Sequence, residues 1–149
     1  MNRKQKIYAH YLQLVNERIA MLQKLLDDFK ESGTNETKST AGDKHETALA
    51  MLQIEQANTR VQLQEVLLQK AALEKINPAI STSTIVNGSL IKTSRGYLFM
   101  SLALGKAVVE GITVTALSPQ SPLGQKLVGL KAGETAGINN TAYFIESIE

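Results

Sequence analysis

The 149 residues contain no cysteine and no tryptophan. Without a thiol the chain has no disulfide, no thiolate zinc site and no cysteine nucleophile. That excludes condensing enzymes of the ketoacyl-synthase type, which work through an acylated cysteine. An excess of one charge is also missing: 16 basic side chains face 14 acidic ones, spread along the chain, for a net +2. Sequence-specific DNA binders usually gather their basic residues on one face, so this balance gives no nucleic-acid signature. No apolar run approaches the roughly 18 to 20 residues of a membrane span. The opening Met1-Asn2-Arg3-Lys4-Gln5-Lys6 leads into no apolar h-region, so it is no secretory signal, and a cytoplasmic location is expected. The chain is 43% apolar, enough for a core in one domain or two small ones.

Two long helical patterns come first. From Tyr8 the apolar residues fall at Leu12, Val15, Ile19, Leu22, Leu26 and Phe29, in alternating steps of four and three. This is a heptad seam, expected of a helix lying along one partner helix. Gly33 is expected to end that helix, with a polar turn through Thr40; about 28 residues give a rod of roughly 40 Å. A second run starts after Gly42 and reaches about Ile76, where Asn77-Pro78 stops it. Leu49, Leu52, Leu63, Val66 and Leu73 form one stripe, interrupted by Gln56 and Thr59. Ile54, Val61 and Leu68 form a second stripe, which would suit packing on two sides. The two runs read as an antiparallel hairpin over residues 1–77. An intermolecular coiled coil is the alternative, against which Gly33 and Gly42 bracket a break.

The turn carries Ala41-Gly42-Asp43-Lys44-His45-Glu46. An aspartate with a glutamate three residues on is the pattern of a capping box, which explains both acids structurally. The same spacing lets two carboxylates converge on one divalent cation, with further ligands supplied by something else. His45 and His10 read as surface residues, not ligands.

After Pro78 the pattern changes to short β-rich segments. Strands are expected over 81–86, 88–93, 97–104, 112–117 and 142–148. A short helix is opened by Pro122 and stopped by Gly129, and Asn139-Asn140 forms a polar tip. Residues 78–149 are therefore expected to form a small sheet domain with one helix, making the chain α+β.

Two separated motifs resemble one family. Gly42-Asp43-Lys44-His45-Glu46 resembles the Gly-Asp-x-x-Glu tip of the bacterial Gre transcript-cleavage factors. Ser121-Pro122-Leu123-Gly124, Leu127-Val128-Gly129-Leu130-Lys131 and Gly133-Glu134 are similar to the Ser-Pro-(Leu/Ile)-Gly-Lys-x-Leu-Leu-Gly-Lys-x-x-Gly-Asp stretch of their C-terminal domain. The resemblance covers nearly the whole chain in the right order. It implies an FKBP-like C-terminal fold and a monomer that docks on the rim of RNA polymerase's secondary channel and inserts the hairpin. By itself such a protein is no enzyme. The polymerase hydrolyses the 3′ end of a backtracked RNA, assisted by Mg2+ shared with the factor and not held stably by the free protein. Carried over, Asp43 and Glu46 are the catalytic, magnesium-supporting pair, and Gln120, Ser121 and Pro122 belong to the polymerase-contacting loop. The chain departs from the family where Glu-Asn-Ala-Glu-Tyr is replaced by Glu46-Thr47-Ala48-Leu49-Ala50, and Gln120 stands before Ser-Pro.

These departures leave a second reading, a Gre-like module that occupies the channel without cleavage. A third is prolyl isomerase activity, suggested by the implied FKBP-like domain. It needs an apolar pocket lined by aromatics, for which this half offers Tyr97, Phe99, Tyr143 and Phe144. A structural dimeric coiled coil is the fourth.

Overall fold

A computed structural model describes the backbone of residues 1–37 and 42–149 and the side chains of 1–33 and 46–149. The chain is α+β. Two long helices, α1 (Arg3–Thr37) and α2 (Gly42–Glu74), precede β1 (Leu90–Thr93), β2 (Gly96–Met100), β3 (Gly105–Val109), β4 (Ile112–Leu117), α3 (Pro122–Leu127), β5 (Thr135–Ile138) and β6 (Thr141–Ile148). It divides into two compact units: Gln13–Lys70, and Met1–Leu12 together with Ala71–Glu149.

The Gln13–Lys70 unit holds most of α1 and α2. Val15, Ile19 and Leu22 are buried along the heptad seam, with Leu26 and Phe29 half-buried. On α2, Leu52, Gln56, Leu63 and Val66 are half-buried and Thr59 is buried. Thr59 fits the seam because its hydroxyl donates to the Glu55 carbonyl one turn back at 2.8 Å, removing an unpaired polar group from the interface. The second stripe does not pack: Ile54, Val61 and Leu68 are 60%, 59% and 63% exposed. A two-helix pair covers one stripe on each partner, and the described residues of this unit supply no third layer to cover another.

Gly33 does not end α1, which runs helical to Thr37. A Cβ at this position would lie 3.4 Å from Leu52 Cδ2. That is an ordinary contact with the flexible end of a leucine. Gly33→Ala is therefore expected to stabilise the chain by about 0.5–1 kcal/mol through helix propensity. A higher urea midpoint at unchanged slope would show it, whereas a helix-ending glycine would give a lower midpoint.

In the other unit α1 begins earlier than its apolar period. Asn2 Oδ1 accepts from the Gln5 amide and Gln5 Oε1 accepts from the Asn2 amide, both at 2.9 Å, a reciprocal capping box that starts the helix at Arg3. Tyr8 Oη donates to the Leu73 carbonyl at 2.9 Å. Within the hairpin unit, residue 33 near the end of α1 lies against residue 52 near the start of α2, as an antiparallel pair requires.

The strands form one mixed sheet in the order β3-β4-β2-β1-β6-β5, antiparallel except for β2 against β4. The β3–β4 and β5–β6 hairpins close through Glu110-Gly111 and Asn139-Asn140, whose φ values are all positive, as tight I′-type turns require. Residues 81–86 form no strand. Thr84 makes a single bridge to Lys131, and the buried Ile85 pins the segment to the core. On one sheet face Ile91, Leu98, Met100, Leu117 and Ile145 pack with Leu127 of α3. The two-residue alternation sends Leu90, Phe99, Val114 and Ala116, all buried, to the other face.

That second face meets the start of α1. The Tyr11 ring stacks on Phe99 at 6.1 Å between centroids, and its hydroxyl donates toward the carbonyls of Gly105 at 2.8 Å and Val114 at 3.2 Å. Burial raises the phenol pKa, so the folded chain holds this proton more tightly than the unfolded chain. The resulting stability is complete below about pH 10 and declines as pH rises through the folded value. Tyr11→Phe is expected to cost about 1 kcal/mol at neutral pH by removing the hydroxyl that donates to the Gly105 and Val114 carbonyls. It should also flatten the alkaline decline, as read from urea unfolding at neutral and alkaline pH.

Candidate functional site

The acidic motif stands where α1 has ended at Thr37 and α2 begins at Gly42. Asp43 is the second residue of α2, inside its first turn; its side chain, like those of Lys44 and His45, lies outside the described residues. Glu46 is described and exposed. Among the described residues no three His, Cys, Asp or Glu side chains gather to hold a metal. His10 packs edge-on to Tyr11 at 5.6 Å on the exposed side of α1.

The second motif builds a loop and the start of α3. Ser121 is the N-cap: its Oγ accepts from the Gly124 amide at 3.1 Å and donates to the Ser118 carbonyl at 2.6 Å. Pro122 occupies the first helical position, where its missing N–H costs nothing. Gly124 closes the arrangement, because a Cβ there would lie 2.0 Å from the Ser118 carbonyl oxygen. Gln120 is tied down by its own neighbours, since Ser118 Oγ donates to its Oε1 at 2.5 Å and Gln125 Nε2 donates to its carbonyl at 3.1 Å. The Ser121 hydroxyl is therefore fully engaged within the loop, while Gln120 and Pro122 are exposed.

Beside this loop is a cavity of about 440 Å³, within the usual range for ligand sites. Leu98, Leu117, Leu123 and Ile138 give it an apolar wall, Ser121 and Pro122 line one side, and Arg95 and Lys106 bring positive charge. Arg95 is held by a 2.8 Å bond from Nε to the Ala142 carbonyl and lies 5.7 Å over the Tyr143 ring. Sequence reading missed Arg95 and Lys106. They sit in the β1–β2 turn and on β3, and only the strand order brings them near residue 121. Of the four aromatics considered for an isomerase pocket, Tyr143 alone lines this cavity. Phe99 is buried against Tyr11, and Tyr97 accepts a hydrogen bond from Arg3 at 2.9 Å.

No protein-family model matches the chain, and no curated protein does. Among solved structures, the GreA factor homolog 1 (Gfh1) protein of Thermus thermophilus is similar, with 14% identity over 88% of this chain and 94% of that one, at a TM-score of 0.34. At that score the likeness carries no weight for fold or activity. No helix of the described residues is long and apolar enough to cross a membrane.

Proposed function

We propose that this chain is a Gre-like transcription elongation factor that binds RNA polymerase at its secondary channel and supports magnesium-dependent cleavage of backtracked RNA. One observation supports this above the rest. Gly42-Asp43-Lys44-His45-Glu46 opens the second of two antiparallel helices, 35 and 33 residues long, and Glu46 is exposed there. Each helix is about 50 Å long at its ordinary rise, a length suited to presenting acids away from a docking surface.

The residues fit a shared cation and do not fit a private one. Asp43 and Glu46 stand three apart on α2, the spacing of neighbouring side chains on one face. Two carboxylates fall well short of the octahedral donor set that magnesium demands, so the polymerase must complete the site. The ion, when so held, supplies an activated water and offsets negative charge at the attacked phosphate. Asp43 and Glu46 would contribute anionic oxygens toward it, and the chemistry remains the polymerase's own. In this reading the domain that carries α3 docks on the channel rim, with Gln120 and Pro122 presented outward and Ser121 holding the loop in shape. The protein works as a monomer and is no enzyme alone.

A second reading, occupation of the channel without cleavage, is favoured by the residues after Glu46. Leu49 is half-buried on the packed row of α2, where the family pattern has a second glutamate. The test is a stalled, backtracked elongation complex given the purified chain and magnesium. Release of short 3′ fragments supports cleavage. Displacement of a cleavage factor without shortening supports the second reading, and failure to bind core polymerase overturns both.

A further inference from the structure

Lys4 is 4% exposed, yet among the described residues no carboxylate lies within ion-pair distance of it. The ion pairs there join Arg3 to Glu149 and Lys6 to Glu110. Its Nζ donates to the Ile80 carbonyl at 2.5 Å, one bond for a group with three donors. Glu149 is the acid whose field reaches it, but that carboxylate is already shared with Arg3 at 4.0 Å. Burial holds the Lys4 pKa below its usual value, with the field of Glu149 opposing that shift. Buried charges are ordinarily paired because desolvation is costly, so this one needs explaining.

The neighbouring space supplies the explanation. A cavity of about 220 Å³ opens beside Lys4, lined also by Lys75, Asn77, Thr82 and Asn87, with no acidic residue in its wall. Asn77 Oδ1 accepts from the Ala79 amide at 3.0 Å, which fixes the amide's orientation and leaves Nδ2 as its free donor. Two lysines and an asparagine thus line one small hollow whose wall is otherwise neutral. We infer that this cavity is a binding site for a small oxyanion of the phosphate type, which supplies the negative charge that Lys4 lacks. The inference is independent of the polymerase reading and survives its failure.

The test is an amide NMR titration of the full chain with inorganic phosphate, against chloride at matched ionic strength and against acetate. Expected are saturable shifts confined to residues 3–5 and 75–88, tighter for phosphate than for acetate and absent with chloride. Lys75→Gln changes an exposed residue, and Lys4→Met removes the buried charge; each should weaken phosphate at least tenfold. Asn77→Asp keeps the cap on Ala79 and places a carboxylate in the wall. It should abolish phosphate binding and raise the thermal midpoint in phosphate-free buffer. Non-saturating shifts, equal shifts with chloride, or unchanged affinity in Lys75→Gln would overturn the site. Tighter binding of acetate would overturn the phosphate assignment.

Discussion

Asp43→Asn and Glu46→Gln should each reduce cleavage in a backtracked complex by about 100-fold or more, the usual scale for removing one charged group that stabilises a transition state. The amides keep the shape of the side chains and remove only the charge. Polymerase affinity should change little, because the tip contributes few of the contacts expected at the docking surface. The double variant should be little worse than either single one, since two ligands of one ion act as a unit. An acid near a helix N-terminus also stabilises the helix by about 0.3–1 kcal/mol. Helical content must therefore be compared, but an effect of that size cannot account for a loss of about 100-fold. Equal losses in affinity and cleavage would make the acids a docking feature and defeat the assignment of chemistry to them.

Gly124→Ala is the substitution with the largest expected effect on stability. The new methyl would lie 2.0 Å from the Ser118 carbonyl oxygen and would crowd Ser121 Oγ and Pro119 Cα at 2.9 and 3.0 Å. None of these is the loose end of a long side chain, so relief requires α3 to leave the loop that caps it. A cost of about 3 kcal/mol or more is expected, at the upper end of overpacking effects, read from urea unfolding. The contrast with Gly33→Ala is informative: the same chemical change has opposite expected signs because one methyl meets a backbone carbonyl and the other a mobile leucine.

The hairpin was legible in the sequence because its signal is long and periodic. Leu12 to Phe29 carry an unbroken heptad, and burial of Val15, Ile19 and Leu22 matches it. Gly33 does not mark the end of α1 because a single glycine inside a long helix costs only about 1 kcal/mol, too little to stop it. The strands found by alternation, β1, β2, β4 and β6, include the whole centre of the sheet. The two missed, β3 and β5, are its two edges, where few side chains are buried and alternation fades. Residues 81–86 misled in the opposite way: β-branched residues there serve one buried anchor, Ile85. The acidic pair and the Ser-Pro loop were visible as short motifs. Arg95, Lys106 and the buried Lys4 were not, because their surroundings are assembled from segments far apart in the chain.

The stacking of Tyr11 on Phe99 has a practical consequence for anyone dividing the chain. The unit that contains the sheet takes in the first twelve residues and resumes at Ala71, with 58 residues of hairpin inserted between its two pieces. A fragment started at Pro78 would bare the Phe99 ring to water and lose the hydrogen bonds that Tyr11 donates, so poor expression of such a fragment would say nothing against the fold. A graft that splices residue 12 to residue 71 through a short linker keeps both pieces, and is the sounder way to obtain the globular half.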